Sequence, residues 1–197
     1  MRKVIVQDWM TFDGVVQAPG AADEDTTAGF EHGGWSLRYF DDIAMKWVVG
    51  NLTEAGGFLL GRRTYESFAS HWPNASEEEQ VLAEPLNTRP KYVASTTLTE
   101  PLEWQNSTVL QGDVAEAVVA LKQEDGDDLL VMGSTELVQT LIEHDLVDEF
   151  RVMIDPVVVG GGKRIFRDDG ALRTLRLVDS QVTTTGAILA TYAPADA

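Results

Sequence analysis

The chain has 197 residues, 44% of them apolar and 24% charged, a profile that suits a globular fold with a full hydrophobic core. It carries 15 cations against 32 carboxylates, a net charge of −17, and no cysteine. These figures speak against nucleic acid or an anionic membrane as partner, and they exclude disulfides, thiolate zinc centres and cysteine nucleophiles.

The first element is "KVIVQDW", at Lys3 to Trp9. Asp8 interrupts its apolar run and no small-residue cleavage site follows, so it reads as a strand rather than a signal peptide, and a cytoplasmic location is expected. No later stretch approaches the ~18 consecutive apolar residues of a membrane span. Ala18 to Gly34 lacks periodicity and is expected to be a long loop, either a lid over a ligand or a plain surface excursion. "WSLRYFDDIAMKWVVGNL" then places Leu37, Phe40, Ala44, Trp47 and Val48 at helical spacing.

"GFLL" is a short buried strand, and Tyr65, Phe68, Ala69 and Trp72 form one apolar helix face that Pro73 ends. "SEEE" from Ser76 offers a capping box to a short acidic helix. Two strands follow, "KYVAS" and "STVLQ". "DVAEAVVALKQ" is a helix capped by Asp113 and Glu116 that buries Val114, Ala117, Val118 and Leu121. "DLLVM" is a strand of the fully buried kind. The helix after it has Ser134 as N-cap, with Leu137, Val138, Leu141 and Ile142 facing inward. "VDEFRVMIDPVVVG" is extended, and the tail alternates as two antiparallel strands that turn near Thr184 to Gly186. The order predicts an α/β fold over residues 1–197 as one domain. Its sheet is mostly parallel with an antiparallel C-terminal edge.

Most motif readings fail. "VVVGGGKRIF" has Val157 and Arg164 where a phosphate-binding Walker loop needs glycine and serine or threonine. No G-x-G-x-x-G follows a predicted strand, and no G-x-S-x-G is present. His32, His71 and His144 lie far apart without H-E-x-x-H, so no metal site is expected.

With so few cations, their grouping carries information: Arg62 with Arg63, and Lys163 with Arg164 and Arg167. The first pair lies in "LLGRRTYE", a strand-to-helix junction. A glycine there lets the backbone turn close to a ligand, and the free N–H groups of the following helix suit an anion. Arg62, Arg63 and Thr64 add two guanidinium groups and a hydroxyl, a set that matches phosphate oxygens. "VMGSTELV" repeats the design without charge at Gly133, Ser134 and Thr135. Each junction also admits a plain structural reading, a solvated arginine or a routine turn glycine.

"LLGRRTYESFASHWP", "KYVASTTL" and "LLVMGSTELVQTLIEHDLVDEFRVMIDPVVVGGGKRIF" resemble the dihydrofolate reductase superfamily, and within it the branch of the riboflavin-biosynthesis reductase domain. The resemblance implies an eight-stranded α/β fold that binds NADPH at the carboxyl edge of its sheet. It gives Gly61, Arg62, Arg63 and Thr64 a role in holding cofactor phosphates, and sets Ser95 and Thr96 beside the adenosine end. Gly133, Ser134, Thr135, Glu136 and Leu137 inherit contacts to the pyrophosphate and nicotinamide side. Asp13, Gly14 and Val16 inherit a loop bordering nicotinamide and substrate. The chain departs from dihydrofolate reductases in having Gly133-Ser134 where they carry paired glycines, and in lacking a cleanly aligned substrate carboxylate.

The function expected on this basis is NADPH-dependent reduction of a small planar heterocycle, pteridine-like or ribosylaminopyrimidine-like. Reducing C=N or C=O needs a proton donor, and Asp41 or Asp13 is the candidate; either is alternatively a solvated acid or a helix cap. Trp35 and Tyr39 either stack on the heterocycle or belong to the core. The competing expectation is a non-catalytic nucleotide- or flavin-binding protein on the same fold. Homodimerisation through "FRVMI" and "AILATYA" is a further expectation.

Overall fold

The computed structural model describes residues 1–195. Eight strands are hydrogen-bonded in the order β4-β3-β2-β5-β1-β6-β8-β7. The chain forms two compact units: Met1–Val6 with Val48–Asp148, and Gln7–Trp47 with Glu149–Ala197. No helix among the described residues is long and apolar enough to cross a membrane.

The first unit contains β2 (Gly57–Gly61), α2 (Arg62–His71), α3 (Gln80–Thr88), β3 (Lys91–Ala94), β4 (Ser107–Val109), α4 (Val114–Gln123), β5 (Leu129–Met132) and α5 (Thr135–Glu143). Its strands are parallel, β2 pairing with β3 and β5, and β3 with β4. Leu129 to Met132 are all buried, as a strand covered on both faces requires, which is why "LLVM" shows no alternation. Asp113 caps α4 by accepting from the Glu116 N–H at 3.0 Å. That helix buries Ala115, Val118 and Leu121; Val114 and Ala117, expected inside, are only half buried. The box at Ser76 and Glu79 forms as expected.

Lys91 has a role that its place in a short strand does not announce. Its side chain is fully buried, and Nζ donates to the carbonyls of Leu86, Asn87 and Arg89 at 2.8, 3.4 and 3.0 Å. Nζ therefore satisfies the end of α3, whose last carbonyls have no partner within the helix. It also lies 4.4 Å from the Trp104 ring centroid. Burial pushes the Lys91 amine down to about 8.

The second unit contains most of β1 (Val4–Thr11), the start of α1 (Asp42–Glu54), β6 (Glu149–Asp155), β7 (Leu175–Val182) and β8 (Ile188–Pro194). β6 and β7 both pair antiparallel with β8, and Val178 is the extra residue of a bulge between Leu177 and Asp179. "FRVMI" and "AILATYA", expected to meet a second copy, thus mainly pair with each other; β7 is left at the edge of the strand order. The helix expected from Leu37 starts only at Asp42, because the Asp41 carboxylate accepts from the N–H groups of Ile43 and Ala44, both at 3.0 Å. Leu37 instead lies in a 3₁₀ turn and is 63% exposed. Val15, Ala18, Phe30 and Trp35 form one buried cluster, so the long loop after β1 carries its own core.

Candidate functional site

The first unit brings the two glycine junctions together. β2 and β5 pair with Gly57 opposite Leu129 and Leu59 opposite Val131, and just beyond that pairing the Gly61 N–H reaches Ser134. Their hydroxyls are exchanged. The Gly61 N–H donates to Ser134 Oγ at 2.9 Å, while the Ser134 N–H donates to Thr64 Oγ1 at 3.1 Å. A Cβ on Gly61 would come 3.5 Å from Ser134, and one on Gly133 would come 3.5 Å from Thr64. Gly133 and Ser134 both adopt the left-handed conformation, at φ +52° and +56°. That pair of bends turns the chain sharply from β5 into α5.

Ser134 therefore differs from its expected role. It occupies the N-cap position of α5, but its hydroxyl donates to the Met132 carbonyl and accepts from Gly61 instead of capping its own helix. Gly61 cannot cap α2 at all, having no side chain. The two helices thus start side by side, each without a side-chain cap, and their first-turn N–H groups are directed at a ligand or solvent. β3 ends beside them, Ala94 pairing with Gly61, and Ser95 Oγ accepts from the N–H groups of Thr97 and Leu98. Thr96 is exposed.

The charges sort the residues further. Arg62 is engaged with Glu66 at 3.1 Å, one helical turn on. Arg63 is exposed and, among the described residues, makes no ion pair. Glu136 is exposed in the first turn of α5, and the Leu137 side chain is buried. Leu137 thus has only its backbone to offer, and Glu136 sets a negative charge at the rim.

The predicted substrate-side residues all fall in the second unit. Asp13 accepts from Thr11 Oγ1 at 2.7 Å and from the N–H groups of Val159 and Gly160 at 3.3 and 2.9 Å. The Thr11 bond leads in holding its carboxyl below the usual range. Arg164 binds the Asp13 main-chain carbonyl and stands 3.1 Å from where a Gly14 side chain would begin, so Gly14, at φ +85°, is needed for this latch. The Val16 side chain is buried and its N–H bonds the Lys163 carbonyl at 2.8 Å. Trp35 is a core residue: its ring N–H bonds the Gln17 carbonyl at 2.8 Å, and no face is left for stacking. Tyr39 is half exposed, with its hydroxyl 3.5 Å from the Pro156 carbonyl. Asp41, besides capping α1, accepts from the N–H and hydroxyl of Thr184 at 2.7 and 2.5 Å. The Thr184 hydroxyl leads the bonds that hold Asp41 down at about 2. These bonds hold both Asp13 and Asp41 in the carboxylate form.

Two acids that the sequence reading passed over behave differently. Asp8 is 2% exposed, and one carboxyl oxygen accepts from the Trp9 N–H at 2.9 Å while the other has no partner among the described residues. Burial pushes it up to about 8, with the nearby Glu24 adding to the rise. Asp155 is fully buried and, among the described residues, neither of its side-chain oxygens has a hydrogen-bond partner. Burial pushes it up to about 6. The available signal was an acid inside an otherwise apolar strand, at "VIVQDW" and "FRVMID".

Residues 2–189 match the family model described as RibD C-terminal domain. The uncharacterized protein YyaP of Bacillus subtilis (strain 168) is 31% identical over 144 residues, 72% of this chain and 75% of that one. A diaminohydroxyphosphoribosylaminopyrimidine deaminase/5-amino-6-(5-phosphoribosylamino)uracil reductase from Thermotoga maritima has the same fold, at TM-score 0.64 and 14% identity; the match covers 98% of this chain and 57% of that one. Dihydrofolate reductase from Enterococcus faecalis matches at TM-score 0.57 and 14% identity, over 98% of this chain and 97% of that one.

Proposed function

This chain belongs to the RibD C-terminal domain family, and we propose that it is an NADPH-dependent reductase of a small planar heterocycle. The observation that carries this reading is the pair of uncapped helix starts braced together at Gly61 and Ser134, with Arg63 exposed and, among the described residues, without an ion pair beside them. A dinucleotide carries phosphates that such a site suits, and a helix start attracts anions through its N–H groups and dipole. Two arginines at one start favour the extra 2′-phosphate of NADPH over NADH. Short-range groups must do this work, because a net charge of −17 repels polyanions at long range.

The two solved relatives by name suggest the substrate class: one is a reductase of a ribosylaminopyrimidine, the other of dihydrofolate. The protein supplies binding and orientation, NADPH supplies hydride, and an acid completes the reduction of C=N or C=O. The reading includes a cytoplasmic enzyme that acts as a homodimer, with β7 as the contact strand, since Leu177 and Val182 there are 55% and 65% exposed. Thermal unfolding with added NADPH tests it: a saturable rise in melting temperature is expected, lost in Arg62→Ala/Arg63→Ala. No shift at millimolar NADPH sinks the proposal.

A second reading, a non-catalytic nucleotide- or flavin-binding protein, draws on the ionised state of both predicted acids, Asp13 and Asp41. NADPH binding without oxidation in the presence of pterins, aminopyrimidines and quinones favours that alternative.

A further inference from the structure

α2 begins at the nucleotide cradle, yet Gly61 has no side chain with which to cap its first turn. Behind it, within the first unit, lies a set of buried polar contacts that reaches both of its ends. Tyr65 follows Thr64 directly, is 4% exposed, and accepts at its hydroxyl from the Trp104 main-chain N–H at 3.2 Å. The two rings are 6.1 Å apart. The Trp104 ring N–H donates in turn to Asn87 Oδ1 at 2.7 Å, and Asn87 Nδ2 donates to the Trp72 carbonyl at 2.9 Å. Trp72 is the C-cap of α2. A chain of hydrogen bonds thus runs from the first turn of α2, through Trp104 and Asn87, to the residue that closes it. Asn87 is itself held fast. Its main-chain carbonyl, in the last turn of α3, accepts from Lys91 Nζ, Gln105 Nε2 and Asn106 Nδ2 at 3.4, 3.2 and 3.2 Å. Lys91 Nζ also lies over the Trp104 ring, so both members of the pair rest on one buried cation.

We propose, resting on the reductase reading, that Trp104 and Asn87 are positioning residues of the cofactor site, which fix where α2 and its Arg63 meet phosphate. Both act through the helix, by way of Tyr65 at its start and Trp72 at its end. Thr64 fastens the same first turn on its other side, where its hydroxyl holds the Ser134 N–H. α2 is therefore gripped between the neighbouring junction and the Trp104–Asn87 pair, and loss of either grip lets it roll about its own axis. Arg63 lies two residues before Tyr65, so a roll at Tyr65 carries the guanidinium with it. A planar guanidinium contact with phosphate depends closely on angle and distance. The extra 2′-phosphate of NADPH then loses more than the main-chain N–H contacts, which NADPH and NADH share.

Calorimetric titration with NADPH and NADH, well below the melting temperature, tests the proposal. Trp104→Phe keeps an aromatic ring over Lys91 and deletes the ring N–H that Asn87 accepts; Tyr65→Phe deletes the hydroxyl that Trp104 reaches. Each is expected to weaken NADPH ~10-fold and NADH no more than ~3-fold, so that the preference for NADPH shrinks. Val118→Ala, a truncation in the buried face of α4 in the same unit, is the control for lost stability. It should lower the melting temperature at least as much and leave the cofactor preference at its wild-type value. A preference unchanged in both Trp104→Phe and Tyr65→Phe, whether or not affinity falls, overturns this inference and leaves the reductase reading standing. So does a preference that shrinks equally in Val118→Ala. Should Trp104→Phe fail to fold, Tyr65→Phe decides alone. A wild type that binds neither cofactor overturns the reductase reading and this inference together.

Discussion

Each unit buries ionisable side chains, and Lys91 in the first is treated in the opposite way to Asp8 and Asp155 in the second. In the first, Lys91 is surrounded by three carbonyls and an aromatic face, so its desolvation is offset by bonds that finish a helix. In the second, Asp8 has one hydrogen bond from its neighbour and Asp155 has none. A buried group with partners is structure; a buried group without them is a cost that function has to explain. The same division separates the polar hydroxyls. Ser134 and Thr64 each hold a backbone N–H of the opposite junction, while the buried Ser36 hydroxyl makes no hydrogen bond among the described residues.

The comparison breaks first on stability, where substitutions in the two units should have opposite signs. Lys91→Met strands three carbonyls and is expected to lower unfolding stability by about 3 kcal/mol, read from the urea midpoint at pH 7. Asp8→Asn should do the reverse above neutrality. The folded chain keeps a proton on Asp8 up to about pH 8 that the unfolded chain releases near 3.8. Wild-type stability therefore falls as pH rises between those values, and the amide variant escapes that fall; urea midpoints across the range measure it. An Asp8→Asn curve parallel to the wild type removes the contrast.

Binding sharpens the comparison at the next level. Arg63→Glu places a negative charge at the start of α2 and should weaken NADPH ~30-fold, about 2 kcal/mol, with a smaller loss for NADH, by calorimetric titration. Ser134→Ala frees the Gly61 N–H and should weaken NADPH a few-fold while lowering the melting temperature slightly. The smallest effect belongs to Asp41→Asn. Bonds hold its carboxyl down at about 2, so its contribution is present above the ordinary carboxylate range and lost as pH falls through 2. The melting temperatures of wild type and variant should differ at pH 7 and converge near pH 2.

The element order was readable from local pattern wherever one face or one run of residues was apolar. The Gly61 and Gly133 junctions were readable for the same reason, since strand, glycine and helix follow one another in the chain. What the sequence hid are partnerships across long separations. Ser134 was read as an ordinary helix cap because capping is a local rule, yet its hydroxyl serves a residue 73 positions away. Leu37 keeps helical spacing, but Asp41 starts the helix later by taking the first N–H groups. Trp35 was indistinguishable from a stacking platform until Val15, Ala18 and Phe30 closed around it. Lys91 carries no local mark of burial, because whether a charge is solvated depends on which strands lie beside it.

The exchanged hydroxyls of Ser134 and Thr64 also fix when the work of assembly is done. Because each junction is braced by the other, neither helix tip can slide without releasing its neighbour, and the cradle is complete as soon as the chain has folded. A dinucleotide should then dock in a single fast phase, with no slow isomerisation trailing it in stopped-flow traces and no gain in amide-exchange protection at Gly61 or Ser134.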